Sequence, residues 1–287
     1  MARARDALAR WLPGVALGLG VACSAAADVT QQPLWEFGLG VGALAFEDYR
    51  GADSAHVYPL PVPMFIYRGE YLRADRDGVR GLLFNQDVLE LNVSVNATTP
   101  VRSADTPARA GMPDLRPTLE IGPSLDWHLW KSVDRRARLD LRMPARAALT
   151  VDSAPQLIGG FFAPRLNLDL LDLGAHRGWD LGLLAGPLYA TRRYHAYFYG
   201  VAPEYATASR PAFQADGGYS GAEFLMSLSK RFAGCWLGAF VRYDALRGAA
   251  FESSPLVRSN SYWATGIGIA WKIGQSDRMV AVSDAPR

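Results

Sequence analysis

Thr118-Leu119-Glu120-Ile121-Gly122-Pro123-Ser124-Leu125-Asp126-Trp127-His128-Leu129 carries an apolar residue or proline at every second position from Leu119 onward. Thr118, Glu120, Gly122, Ser124, Asp126 and His128 fill the alternate places. Side chains of an extended chain point to opposite faces in turn, so this stretch reads as a strand with one greasy and one wet side. A helix would space its apolar residues three and four apart. These are two apart.

The pattern recurs. Leu89, Leu91, Val93 and Val95 oppose Glu90, Asn92, Ser94 and Asn96. Leu139, Leu141 and Met143 oppose Arg138, Asp140 and Arg142, and Leu166, Leu168 and Leu170 oppose Arg165, Asn167 and Asp169. Phe224, Met226 and Leu228 face away from Glu223, Ser227 and Ser229, as Val241 and Tyr243 do from Arg242 and Asp244. Trp35, Trp127, Trp130, Trp179, Tyr189, Tyr243, Trp263 and Trp271 gather near segment ends. Such aromatic belts mark the two interfaces of a membrane barrel. A soluble β-sandwich would alternate too. Segments of about ten residues or longer exceed the usual soluble strand and suffice to cross a bilayer at a tilt. Repeated full charges on the polar face suit a lumen.

Candidate strands fall at 33–47, 59–67, 70–75, 79–84, 87–96, 115–130, 137–150, 157–171, 178–189, 219–230, 234–245 and 261–272. The expected fold class is therefore all-β, an antiparallel transmembrane β-barrel of about twelve strands. The segments at 70–75 and 79–84 are short and alternate poorly, so ten strands plus a hairpin is the alternative. With an even count both chain ends lie on the periplasmic side, beside short turns such as Asn85-Gln86. Loops 48–58, 97–114, 190–218 and 246–260 then face outward.

Ahead of the strands, Arg3, Arg5 and Arg10 precede an apolar run from Trp11 to about Ala22, and Ala25 and Ala27 stand at −3 and −1 of a cleavage site. The expected organisation is a signal peptide at 1–27, a barrel at 28–274 and a periplasmic tail at 275–287. Cleavage removes three Arg and one Asp, so 30 basic residues become 27 and 28 acidic residues become 27. A formally neutral chain lacks the basic footprint of a nucleic-acid binder. Once the leader is gone Cys235 is the single cysteine, which leaves no thiol cluster for a metal.

The predicted inward face collects Glu90, Glu120, Asp126, Arg138, Asp140, Arg142, Arg165, Asp169, Glu223 and Arg242. Rings of charge can select ions in an open pore. Acids and arginines in balance instead favour a mutually paired network filling a narrow lumen, because desolvated charges need partners. Of His56, His128, His176 and His195, only His128 lies on a predicted inner face, close in sequence to Glu120, Ser124 and Asp126. A histidine inside a polar network accounts for it without catalysis. Gly218-Tyr219-Ser220-Gly221 lacks the spacing of a nucleophile elbow. The reading is no enzyme and no cofactor. Tyr194, Tyr197, Tyr199 and Tyr205 make the longest outer loop aromatic, which fits either an exposed binding surface or a lid folded over the mouth.

Five further stretches are distinctive. Phe46-Glu47-Asp48-Tyr49-Arg50-Gly51-Ala52-Asp53 is followed by Pro59-Leu60-Pro61-Val62-Pro63, by Phe65-Ile66-Tyr67-Arg68-Gly69 and by Leu72 to Gly81. Tyr197 to Gly218 contains Ser209-Arg210-Pro211 and closes on Gly217-Gly218. This combination resembles the MipA/OmpV family of outer-membrane proteins over essentially the whole mature chain. The resemblance implies a barrel in the outer membrane of a Gram-negative bacterium, in contact with membrane lipid and lipopolysaccharide. It also implies a non-enzymatic scaffold joining a lytic transglycosylase to a penicillin-binding synthase. Other members of that family look like small-solute porins or surface adhesins. Barrels of this kind often end on an aromatic residue, whereas here a tail follows the last strand.

Overall fold

The computed structural model describes residues 31–281 apart from 70–71, 76–77, 86–87 and 174–177. The leader expected at 1–27, His176 and the last six residues of the tail lie outside the described residues. Thirteen hydrogen-bonded segments form one antiparallel sheet, and two of them are consecutive halves of a single strand, so twelve staves make the wall. The staves are β1 (Trp35–Glu47), β2 (Ala55–Arg68), β3 (Leu72–Asp75), β4 (Gly78–Asn85), β5 (Leu89–Thr98) and β6 (Thr118–Lys131). They continue with β7 (Ala137–Thr150), β8 (Leu157–Phe162 and Arg165–Leu173), β9 (Trp179–Ala190), β10 (Gly218–Arg231), β11 (Cys235–Ala245) and β12 (Ser261–Gln275). Each stave pairs with the next, and β12 returns to β1 in a ladder running from Ala264↔Phe46 to Gln275↔Glu36. The sheet is closed.

The polarity of the wall settles which kind of barrel this is. Along β6 the buried residues are Thr118, Glu120, Ser124 and Asp126, while Ile121, Trp127 and Leu129 are exposed. Cross-strand partners share a face, so Asp126 carries its neighbours Glu90 on β5 and Arg142 on β7 inward with it. A water-soluble sheet would bury the opposite set. An apolar outer surface around a polar interior is what a bilayer demands, since a closed barrel satisfies its backbone polar groups between strands. No helix among the described residues is long and apolar enough to cross a membrane; strands make the crossing.

Both ends of the described chain lie at the end of the barrel that carries the short turns. There Gln31–Pro33 pairs antiparallel with Met279–Ala281, so the first part of the expected tail is a small two-stranded clasp. At the opposite end the first loop spans only 48–54, because β2 begins at Ala55 and holds thirteen consecutive partners on β1. The strand expected from 59 therefore starts four residues earlier and includes Pro59, Pro61 and Pro63. Their alternate spacing explains why they do no harm. Successive residues direct their backbone groups to opposite edges, so the three missing N–H groups all fall on the edge facing away from β1. The hairpin of β3 and β4 is short, as its weak alternation indicated, and β3 meets β2 only through Tyr67↔Ala74 and Arg68↔Arg73.

One helix interrupts the all-β pattern. α1 (Arg192–Tyr199) follows Thr191, whose hydroxyl accepts from the Tyr194 amide as a cap, and stops before Gly200. Its buried face carries Tyr194, His195 and Tyr199. Gly159 on β8, at φ +137°, lets this helix start close to the wall: a Cβ there would lie 2.5 Å from Thr191 Oγ1 and 2.6 Å from the Tyr194 nitrogen.

Candidate functional site

The interior of the barrel has two unlike halves. On β5 to β8 the inward side chains are charged and paired. Asn92 donates to Glu90 at 3.0 Å and to Asp126 at 3.2 Å, and Ser124 donates to Asp126 at 2.7 Å. Arg138 lies 3.0 Å from Asp140 and 3.1 Å from Asp169, and Arg142 is 3.6 Å from Asp140. His128 meets the same Asp140 through Nδ1 at 2.8 Å, so its partner comes from β7 rather than from its own strand. Arg146 reaches Glu120 at 3.6 Å and donates to Ser94 Oγ at 2.6 Å. A second chain continues round the wall: Arg165 to Glu223 at 3.7 Å, Glu223 to Arg242 at 3.6 Å, and Arg242 to Asp244 at 2.8 Å. Each acid in these chains shares a network with an arginine or a neutral donor.

Across the lumen the middle of β11, β12, β1 and β2 is apolar, bounded by Arg242 and Asp244 towards one end and by Glu36 with Arg68 and Arg231 at the other. Trp236, Phe240, Leu44, Val62 and Met64 project over a floor of glycines at 38, 40, 42, 266 and 268. Val62 Cγ2 occupies space that a Cβ on Gly42 would enter, at 2.8 Å. A cavity of about 490 Å³ lies between the halves, touching Phe46, Phe240 and Leu44 on one side and Glu120, Arg142 and Arg165 on the other.

Above the cavity the long loops fold into a packed cap. Tyr49, Leu246 and Phe251 join Val101, Leu115 and Tyr199 in one cluster, with Tyr199 stacked on Phe251 at 3.6 Å. Phe251, Leu246 and Leu256 are fully buried, and each such side chain contributes about 1.5–3 kcal/mol. Two buried arginines staple the cap by donating to carbonyl oxygens. Arg109 reaches Phe198 and Pro113, and Arg210 reaches Tyr205, Ala108 and Ala110. Arg50 ties the cap to the wall, donating to Asp244 at 2.6 Å and to Ser220 Oγ at 3.1 Å. The aromatic loop is thus a lid. Tyr194 and Tyr199 are buried within it, Tyr194 donating to Glu120 at 2.8 Å, and this removes both from any exposed binding surface. Tyr197 and Tyr205 keep partial exposure. Alternation does not single out Arg50, Arg109, Arg210 or His195, because all four lie outside the strands: Arg109 and Arg210 act on loop carbonyls, His195 on a carbonyl and a ring, and Arg50 reaches across to the wall.

His195 gives the cap a pH dependence. It is fully buried, with Nδ1 donating to the Asp216 carbonyl at 2.6 Å and its ring edge-on to Phe251 at 4.9 Å. Burial holds its pKa below the ordinary 6.5; the Asp216 carbonyl offsets part of that, and Arg50 adds to the depression. In the undocked loop the imidazole takes up a proton as pH falls through about 6.5, whereas in the docked cap it resists until lower pH. Acidification therefore favours undocking. Limited proteolysis within residues 206–217 is expected to accelerate between pH 7.5 and 5.0, and the non-titrating H195N variant should lose that acceleration. An equal acceleration in the variant would assign it to other groups.

Among the described residues no group of three or more His, Cys, Asp or Glu side chains is placed to hold a metal ion.

Comparison with known proteins gives this architecture a family. The chain is 26% identical over 214 residues to outer membrane protein Omp26La of Vibrio anguillarum, a match covering 72% of this chain and 76% of that protein. It is 30% identical over 105 residues to outer membrane protein OmpV of Vibrio cholerae, covering 36% of this chain and 38% of that one. Among solved structures it is similar to a bacterial polysaccharide outer membrane secretin, with TM-score 0.41, 9% identity and coverage of 86% and 100% of the two chains. OprB of Pseudomonas putida is similar at TM-score 0.37, 9% identity and coverage of 83% and 94%. The profile described as MltA-interacting protein MipA matches residues 39–273, from the start of β1 almost to the end of β12. A twelve-stave wall facing lipid, relatives named as outer membrane proteins and a profile match over nearly every strand lead to one conclusion: the chain belongs to the MipA family of outer-membrane β-barrel proteins.

Proposed function

We propose that this barrel is a non-enzymatic scaffold that holds peptidoglycan enzymes, a lytic transglycosylase and a penicillin-binding synthase, at the inner face of the outer membrane. The observation that carries the reading is the double closure of the axial path. The lumen charges are paired with one another, and the outer mouth is sealed by a packed and arginine-stapled cap. Such a body is built to stand in the membrane rather than to let solute through along its axis. The family description, which names an interaction with MltA, points to the same role.

The contact surface in this proposal is the short-turn end, taken as periplasmic, with the clasp of Gln31–Pro33 and Met279–Ala281 and the tail beyond it. Trp130, Val133 and Ile273 are exposed near that end, and exposed apolar groups outside the lipid band serve protein contacts. Deleting residues 276–287 should reduce cross-linked recovery of both enzymes at least tenfold while the barrel still shifts on gels when boiled. Undiminished recovery would place the contact elsewhere. Reproducible single-channel steps in planar bilayers would sink the closed-scaffold reading.

A further inference from the structure

The wall is incomplete on one side. β2 is paired with β1 from Trp35↔Tyr67 to Glu47↔Ala55, yet its other edge meets β3 at Tyr67 and Arg68 only. From Ala55 to Ile66 that edge has no strand partner among the described residues. Across the opening, β4 pairs with β5 up to Ser94, and β5 runs on to Thr98 with its β4-side edge uncovered by any described strand. The β3–β4 hairpin forms the sill. Overhead, the loop after β5 is fastened to the loop after β1, with Thr106 donating to Asp48 at 2.8 Å and Asp48 also engaging Ser54 and His56.

Three observations show that this slot communicates with the lumen. Tyr58, Leu60 and Asn96 face inward by register, yet all three are exposed. Every residue from Ser94 to Thr99 touches the 490 Å³ cavity. The cavity thus runs along the uncovered end of β5, beside the slot. Third, the outward residues flanking the slot, Val57, Phe65 and Val95, are exposed and apolar, so the opening gives onto hydrocarbon. Pro59, Pro61 and Pro63 suit the margin of such an opening. They remove three donors from an edge that lipid could not satisfy, and they prevent another strand from zipping onto it.

What lies behind the slot defines what passes. The near wall is the apolar, glycine-floored half with Leu44, Val62, Met64 and Phe240; the far wall presents Glu120, Glu223, Arg142, Arg146 and Arg165 in paired signs. A guest fits both walls if it has one apolar chain and a head bearing both charges. We propose that the slot is a lateral port admitting a single-chain zwitterionic amphiphile from the bilayer, its chain on the glycine floor and its head against the charge network. A sealed cap leaves this sideways route in place while closing the axial one.

The test uses the full chain in liposomes with lysophosphatidylcholine carrying a photoreactive diazirine near the end of its acyl chain. Illumination should give adducts on Leu44, Val62 and Phe240 as well as on the lipid-facing surface. Adducts confined to outward residues such as Phe65, Val95 and Ile267 would overturn the proposal. V62E, which sets a charge on the apolar strip, should lower labelling of Leu44 and Phe240 at least tenfold and leave the outward adducts unchanged; undiminished lumen labelling would also overturn it. The native mapping decides the question even if the variant fails to fold. Comparable lumen labelling by a photoreactive fatty acid, whose head is only negative, would refute the assignment of the head.

Discussion

Valine at position 40 is expected to abolish the folded barrel. Gly40 sits on β1 opposite Ala270, with its missing side chain directed at the last strand. A Cβ there would lie 1.8 Å from the Ile269 carbonyl oxygen and 2.5 Å from the Ala270 Cα. Both obstacles are backbone atoms of β12, so no side chain can swing aside. Overpacking that side-chain movement can absorb costs about 1–3 kcal/mol. Here the first and last staves themselves would have to part, and their ladder would go with them. The expected result for G40V is loss of the species that migrates anomalously on gels before boiling. G234A is the control, because a Cβ at that turn between β10 and β11 meets no heavy atom within 4 Å. A G40V protein that still closes would show the seam to be far looser than this geometry.

Asp244 is the second position where one change should have a large effect. Its carboxylate is fully buried and accepts from Arg50 Nε at 2.6 Å and from Arg242 Nε and Nη2, both at 2.8 Å. D244A would leave two guanidinium groups side by side, with Glu223 at 3.6 Å as the remaining acid beside Arg242. Removing one member of a buried ion pair costs about 3–5 kcal/mol, mostly because the other charge is left uncompensated. The damage should also travel. Arg50 belongs to the cap and Asp244 to the wall, so the loop after β1 loses its anchor and should become open to protease together with Tyr49 and its cluster. D244N keeps an acceptor but not the charge and should fall between. A D244A barrel with wild-type unfolding midpoint and a protected loop would refute the anchoring role.

The fold was largely legible from alternation because a membrane barrel writes its lipid face into every other residue. Leu139, Leu141 and Met143 carry that signal without help from distant parts of the chain, and so do Leu166, Leu168 and Leu170. The facing of the polar side chains is legible for the same reason, since period two fixes which side chains share a face. Partners were harder. His128 was placed on the inner face, but its bond to Asp140 depends on the register of β6 against β7, with a shift between His128 and Trp130 that no single strand reveals. The cap was least legible of all. Arg109 and Arg210 spend their donors on carbonyl oxygens, and every residue offers a carbonyl, so no residue pattern announces the contact. The slot beside β2 depends on how short one hairpin is relative to its neighbours, which emerges only once each ladder has been laid down.

The seam where β1 meets β12 has a consequence for how the barrel comes into being. Its two sides are separated by nearly the whole chain, so every other pairing can form while this one waits. Contacts so distant in sequence are slow to form. Until then the sheet has two bare rims, and bare rims invite the wrong partner. Glycine is a poor strand former, and β1 places glycines at 38, 40 and 42 along the rim that waits longest. Those residues leave β1 slow to adhere to a stranger, while the close approach they allow makes β12 the strand that fits.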